Sequence, residues 1–135
     1  MKAVLLSALT ALLGSVLVFE PAEAQDGSLA RCGALSAPAA EVVLHCRRAL
    51  SQGGLREQQK FAAGLNLGDA LLGLGRSSEA LEAFNAAAAL GLERVELYIG
   101  RANAREALGQ RLEAARDLDK ALALAPSSAD VRMAR

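Results

Sequence analysis

The chain has no tryptophan, one tyrosine and three phenylalanines. Aromatics make up 3% of a composition that is 53% hydrophobic, so the apolar content is mostly alanine and leucine. A core of that kind cannot fill gaps with rings and must instead bring backbones together. Few aromatic and β-branched residues argue against a sheet, while alanine and leucine lose little freedom in a helix, so the composition points to an all-α chain. Histidine occurs once, at His45. No Ser/His/Asp constellation can be placed around it. Nor is there a glycine-rich phosphate loop or a metal-ligand cluster, so the chain reads as a non-enzyme without cofactor or metal. Neither sign of charge is in excess. The fifteen basic and fifteen acidic residues are interspersed, which gives no support for a nucleic-acid or anionic-membrane partner.

The three prolines each stand at a boundary. The first follows a positive start, Met1-Lys2, and an uncharged apolar run from Ala3 to Phe19. Pro21 then breaks the run, and Ala22-Glu23-Ala24 supplies a small-x-small pattern before Gln25. This is the three-part signature of a secretory signal peptide over residues 1–24. An uncleaved N-terminal anchor is the alternative, since the apolar run sits at the lower edge of what spans a bilayer. Cleavage removes one basic and two acidic residues and leaves the remainder near neutral. The implied location is periplasmic or secreted, with no membrane contact once the leader is gone.

Cys32 and Cys46 are the only cysteines. An even pair behind an export signal implies an oxidising compartment and a structural disulfide, with about 3 kcal/mol of stabilisation for so short a loop. A reactive thiol pair is the competing reading. The spacing opposes it, because dithiol sites use Cys-x-x-Cys. His45 beside Cys46 suggests metal only weakly, since adjacent helical residues point about 100° apart.

Residues 25–37 read as a flexible lead-in, being polar and small. Pro38, at a first helical turn, then opens a helix whose Val42, Val43, Cys46, Ala49 and Leu50 share a face, and Gly53-Gly54 ends it. From Phe61 the chain repeats itself at a spacing of 34. Identities are Ala70/Ala104, Leu74/Leu108, Gly75/Gly109, Glu79/Glu113, Ala80/Ala114, Ala87/Ala121, Ala89/Ala123 and Leu90/Leu124. Phe84 falls opposite Leu118, and Gly68 opposite Ala102, as matches of size class. Each unit divides at its glycine into two helices, about 58–74 with 77–90 and about 93–108 with 111–124. Gly75 and Gly109 are expected to take the left-handed conformation that stops a helix. Ser77 is the expected N-cap of the following helix. Gly91 closes that helix and Pro126 closes the last. Breaks this short leave consecutive helices antiparallel.

The stretches "LGDALLGLGRSSEALEAFNAAAAL" and "ANAREALGQRLEAARDLDKALALAP" resemble the tetratricopeptide repeat (TPR) in both period and small-residue positions. The matching positions are Gly68, Leu71, Ala80, Phe84 and Ala87 in residues 61–94. In residues 95–128 they are Tyr98, Ala102, Ala114, Leu118, Ala121 and Pro126. Residues 38–60 look like half of a preceding unit, with Val42, Cys46 and Ala49 at the core sites. The tail, 129–135, reads as a partial capping helix. The chain departs from the family pattern at Gly64, where a large aromatic is usual, and at Leu92, where proline is usual. Arg101 and Arg105 stand where Leu and Tyr are usual. Those two arginines are expected to turn the first helix of the second unit partly outward, forming either a weak anion site or a solvated face paired with Glu106 or Asp117.

The resemblance implies a short right-handed superhelix of five or six helices, its concave face lined by the first helix of each pair. Candidate partner-binding residues on that face are Ala62, Leu65, Asn66, Asp69 and Leu72, then Glu96, Ile99, Asn103 and Glu106. By the resemblance Asn66 and Asn103 would hold the backbone of an extended peptide; otherwise they are ordinary solvated polar residues. The implied function is an exported protein-protein interaction module, with self-association into a homodimer as the alternative. Ala80, Ala87, Ala114 and Ala121 are small at both members of each 34-spaced pair, which lets helices approach to about 8 Å.

Overall fold

The computed structural model describes residues 27–127. The expected signal peptide and the capping tail lie outside the described residues. Six α-helices and no strand occur within them: α1 Ser28–Cys32, α2 Ala39–Gln52, α3 Glu57–Gly73, α4 Ser77–Ala88, α5 Val95–Ala107 and α6 Arg111–Leu124. Among the described residues no helix is long and apolar enough to cross a membrane.

Each helix packs on the next in sequence, and α3–α4 and α5–α6 form the most extensive pairs. The turns inside both pairs are built alike. After α3, the Gly75 N–H donates to the Leu72 carbonyl at 2.9 Å and the Arg76 N–H to Leu71 at 2.8 Å. After α5, Gly109 and Gln110 repeat these bonds to Glu106 and Arg105 at the same distances. This 5→2, 6→1 pair is the Schellman stop, and it needs a left-handed residue at its centre. Gly75 and Gly109 supply it with φ of 71° and 76°. Two helix starts differ from expectation. The Arg76 carbonyl accepts the Ala80 N–H, so Arg76 is the N-cap of α4 and Ser77 is its first residue. Likewise the Pro38 carbonyl accepts from Glu41 and Val42, which puts Pro38 at the N-cap of α2 rather than inside its first turn.

The two pairs place equivalent positions in equivalent contacts. Gly64 of α3 faces Ala87 of α4, and a Cβ on Gly64 would stand 3.1 Å from the Ala87 methyl. Thirty-four residues on, Tyr98 packs with Ala121. Gly68 meets the ring of Phe84, while Ala102 clusters with Leu118 and Ala114. At the second of these positions a small residue on one helix meets a large one on its neighbour, glycine opposite phenylalanine and alanine opposite leucine, whereas Gly64 and Ala87 are both small. Phe84, Ala80 and Ala87 are buried at 0–2% exposure. Gly75, Gly109 and Pro126, expected with the repeat core, are exposed and serve as punctuation.

Of the flexible lead-in expected over 25–37, the described part, 27–37, is ordered instead. Within it α1 forms, with Ser28 and Cys32 buried, and a disulfide joins Cys32 to Cys46 on α2. Both cysteines are under 3% exposed and no free cysteine remains among the described residues. Five residues cannot hold a helix alone. The covalent tie to α2, and the Cys32 Sγ against the Ala63 carbonyl of α3, keep α1 in the core.

The largest departure from expectation is at Arg101 and Arg105. The expected pairing with Asp117 is made, but inside the helix pair and not on a solvated, outward-turned face. Both arginines point at Asp117 of α6, which is 1% exposed. Arg101 makes two bonds to it, at 2.9 and 2.7 Å, and Arg105 one at 2.6 Å. Arg105 also donates to the Glu113 carbonyl, and Arg101 reaches Asn85 of α4. The cause lies in the register. Arg101, Arg105 and Asp117 fall 34 residues after Leu67, Leu71 and Ala83, all three buried in the main core. Position in the pair sends them inward, where the Asp117 carboxylate pairs with both guanidinium groups and cancels part of their charge, while Arg105 Nε stays buried without a hydrogen-bond partner among the described residues.

Candidate functional site

The open face of α3 carries Ala62, Leu65, Asn66, Asp69 and Leu72 at helical spacing. Leu65, Asn66 and Leu72 are half-buried, and Ala62 and Asp69 are exposed. On α5 the corresponding positions are Glu96, Ile99, Asn103 and Glu106, with Ile99 half-buried against Tyr98 and the rest exposed. Asn66, Asp69, Glu96 and Asn103 make no side-chain hydrogen bond or ion pair among the described residues. Glu106 lies 3.9 Å from Arg111, a long and exposed contact worth little.

Two hollows gather some of these residues and leave others apart. One, of about 220 Å³, lies where the loop after α1 faces α3 and is lined by Cys32, Gly33, Leu35, Ala37, Val42, Asn66, Asp69 and Ala70. The chain approaches α3 closely there: a Cβ on Gly33 would stand 3.9 Å from Asn66 Nδ2. Crowding partly strips water from Asp69, and desolvation raises its carboxyl pKa above the ordinary value. The second hollow, of about 250 Å³, lies between the starts of α3 and α5. Phe61, Ala62, Leu65 and Leu92 line it with Gln58, Arg94 and Glu96. Leu72, Ile99, Asn103 and Glu106 belong to neither hollow.

Elsewhere several polar side chains are engaged. The Tyr98 hydroxyl donates to Glu93 Oε1 at 3.1 Å, and its ring lies under both Arg101 and Lys120, at 5.6 and 5.4 Å from its centroid. Burial first, then that hydrogen bond to a carboxylate, raises the phenol pKa. Glu79 takes Arg76 and Arg47 together, tying α4 to α2, and those bonds lower its carboxyl pKa. His45 Nδ1 is buried without a hydrogen-bond partner among the described residues, and the neighbouring Cys46 is spent in the disulfide. Gly64 opens a third hollow with Leu50, Leu67 and Leu90, apolar apart from Lys60.

Sequence reasoning missed the loop after α1 as a wall of a site. No hydropathy pattern marks Gly33 to Ala37; only the cysteine pairing places them near α3. No protein-family model, no curated protein and no solved structure matches this chain.

Proposed function

We propose that the chain is a small exported adaptor of the tetratricopeptide type, binding a protein or peptide on the concave face lined by its first helices. The observation that carries this reading is the uncommitted polar row. Asn66, Asp69, Glu96 and Asn103 stand on the open faces of α3 and α5 beside half-buried Leu65, Leu72 and Ile99. Such a face offers hydrogen bonds to an extended backbone and apolar contact to its side chains. The 34-residue register, obeyed by paired contacts in both helix pairs, supports the family resemblance and the superhelix it implies. Export is supported by the leader pattern and by the buried disulfide, since disulfides persist in oxidising compartments. With the only two cysteines joined, no reactive-thiol chemistry remains to the described residues, and we read the chain as non-catalytic.

The test is affinity capture from envelope extract of the parent cells, with retained proteins identified by mass spectrometry. The reading expects a partner whose retention falls sharply in Asn66→Ala/Asn103→Ala while the melting curve is unchanged. Equal retention by parent and variant refutes it.

Self-association has its own supporting observation. Leu108 and Leu112 stand exposed beside the turn joining α5 to α6, at 36% and 63%, and Leu124 is exposed near the far end of α6. Exposed apolar surface of this kind favours pairing. Light scattering decides: a strict monomer at high concentration removes the dimer.

A further inference from the structure

We propose that the hollow between the disulfide-held loop and α3 is a subsite for one lysine or arginine side chain of a bound polypeptide, with Asp69 as its counter-charge and Asn66 as a hydrogen-bond acceptor. Its size sets the class of occupant. Pockets for small molecules run to about 300–1,000 Å³. At about 220 Å³ this one suits a single long side chain. Its surroundings set the chemistry. Cys32, Val42 and Ala70 give an apolar floor, with the exposed Leu35 at its rim, against which the methylene stem of a lysine or arginine packs while its charged end stays polar.

The polar end is supplied from one turn of α3. Asn66 and Asp69 are three residues apart, both line the hollow, and both are uncommitted among the described residues. No basic residue lines the hollow, so the Asp69 charge is not neutralised from within it. Desolvation already weighs on that carboxylate, as its raised pKa records. An arriving cation favours the charged carboxylate and opposes that shift. The opposite wall is preorganised, because the disulfide anchors α1 and the start of the loop to α2. This inference rests on the adaptor reading only in taking the occupant to be a protein side chain.

The experiment titrates the purified ¹⁵N-labelled protein with N-acetyl-lysine methylamide and N-acetyl-arginine methylamide, following amide shifts. The norleucine and glutamate analogues serve as controls. Both cationic probes are expected to give saturable shifts at residues 33–37, Asn66 and Asp69, with binding about fivefold tighter than norleucine. Asp69→Asn, which keeps size and hydrogen bonding, is expected to remove that advantage and leave the rest of the spectrum in place. Equal binding of norleucine, undiminished binding to Asp69→Asn, shifts confined to other surfaces, or no saturable shift each overturn the subsite. A captured partner retained fully by Asp69→Asn but lost by Asn66→Ala/Asn103→Ala would remove the subsite and leave the adaptor reading standing.

Discussion

Gly100 of α5 touches the ring of Phe84 on α4 so closely that a Cβ at Gly100 would lie 2.6 Å from it. Gly68 of α3 meets the same ring from the other helix, with 2.5 Å to a built Cβ. The fully buried Phe84 is thus seated between two glycines, one in its own helix pair and one in the next. Alanine in a helix normally gains about 0.5–1 kcal/mol over glycine. Here a methyl has no room and the ring, buried on all sides, cannot swing away. Gly100→Ala and Gly68→Ala are each expected to destabilise by about 1–3 kcal/mol in urea unfolding. Gly64→Ala, which meets only the Ala87 methyl at 3.1 Å, is expected to cost less than either.

Close approach also holds the paired alanines small. Ala80 and Ala114 are both buried, at 0% and 3% exposure. Leucine at either is expected to overpack the pair and cost about 1–3 kcal/mol. Thermal melts matching the parent would show that close helix approach is not what holds these positions small.

Asp117 gives a sharper test, because its two arginines stand where the first pair has Leu67 and Leu71. Asp117→Ala strands two largely buried guanidinium groups, whose side chains are 13% and 20% exposed, and is expected to cost about 3–5 kcal/mol. The triple variant Arg101→Leu/Arg105→Leu/Asp117→Ala copies the first pair into the second. It is expected to match the parent or exceed it by about 1–4 kcal/mol. A triple variant as unstable as Asp117→Ala would show that the two pairs do not share one packing scheme.

Asp69 has a signed pH dependence. Its folded pKa is raised by desolvation, so in the window between the unfolded and folded values the native state binds more protons than the unfolded chain. Stability therefore falls as pH rises through that window, and the full penalty stands above it. Asp69→Asn is expected to stabilise slightly at neutral pH, with the gain vanishing at acid pH below the window. A variant that destabilises at neutral pH, or a gain that grows on acidification, contradicts this.

Much of the fold is legible in the residues because it is written in punctuation. Gly75 and Gly109 mark helix ends by a backbone requirement that any reader can infer, and paired alanines mark the close contacts. The ion cluster was not legible from hydropathy, since arginine by itself reads as solvated. The 34-residue register did contain the signal: two arginines and an aspartate stand at three core positions together, and their charges cancel in part. Helix α1 was hidden for a different reason. Its residues carry no periodic pattern, and the Cys32–Cys46 bond, with Ser28 and Leu29 packed inward, holds them in helix against the core. The candidate face of α3 and α5 could be read as a row of positions. The hollow beside Asp69 could not, because its other wall comes from a loop brought there by the disulfide.

Cys32→Ser/Cys46→Ser is expected to lower stability by about 3 kcal/mol and to loosen α1 first. Hydrogen exchange is the measurement: amides of residues 28–35 lose protection while those of α5 and α6 keep theirs. Unchanged protection at residues 28–35 would mean that packing alone holds α1.

The claim on which the account turns is that the open faces of α3 and α5 bind a polypeptide. The most direct measurement is quantitative capture from envelope extract, comparing the parent with Asn66→Ala/Asn103→Ala at equal thermal stability. The account predicts one or more identified partners held by the parent and reduced about tenfold by the variant, the equivalent of two lost hydrogen bonds. A partner held equally by both proteins, or none held by the parent, would contradict it.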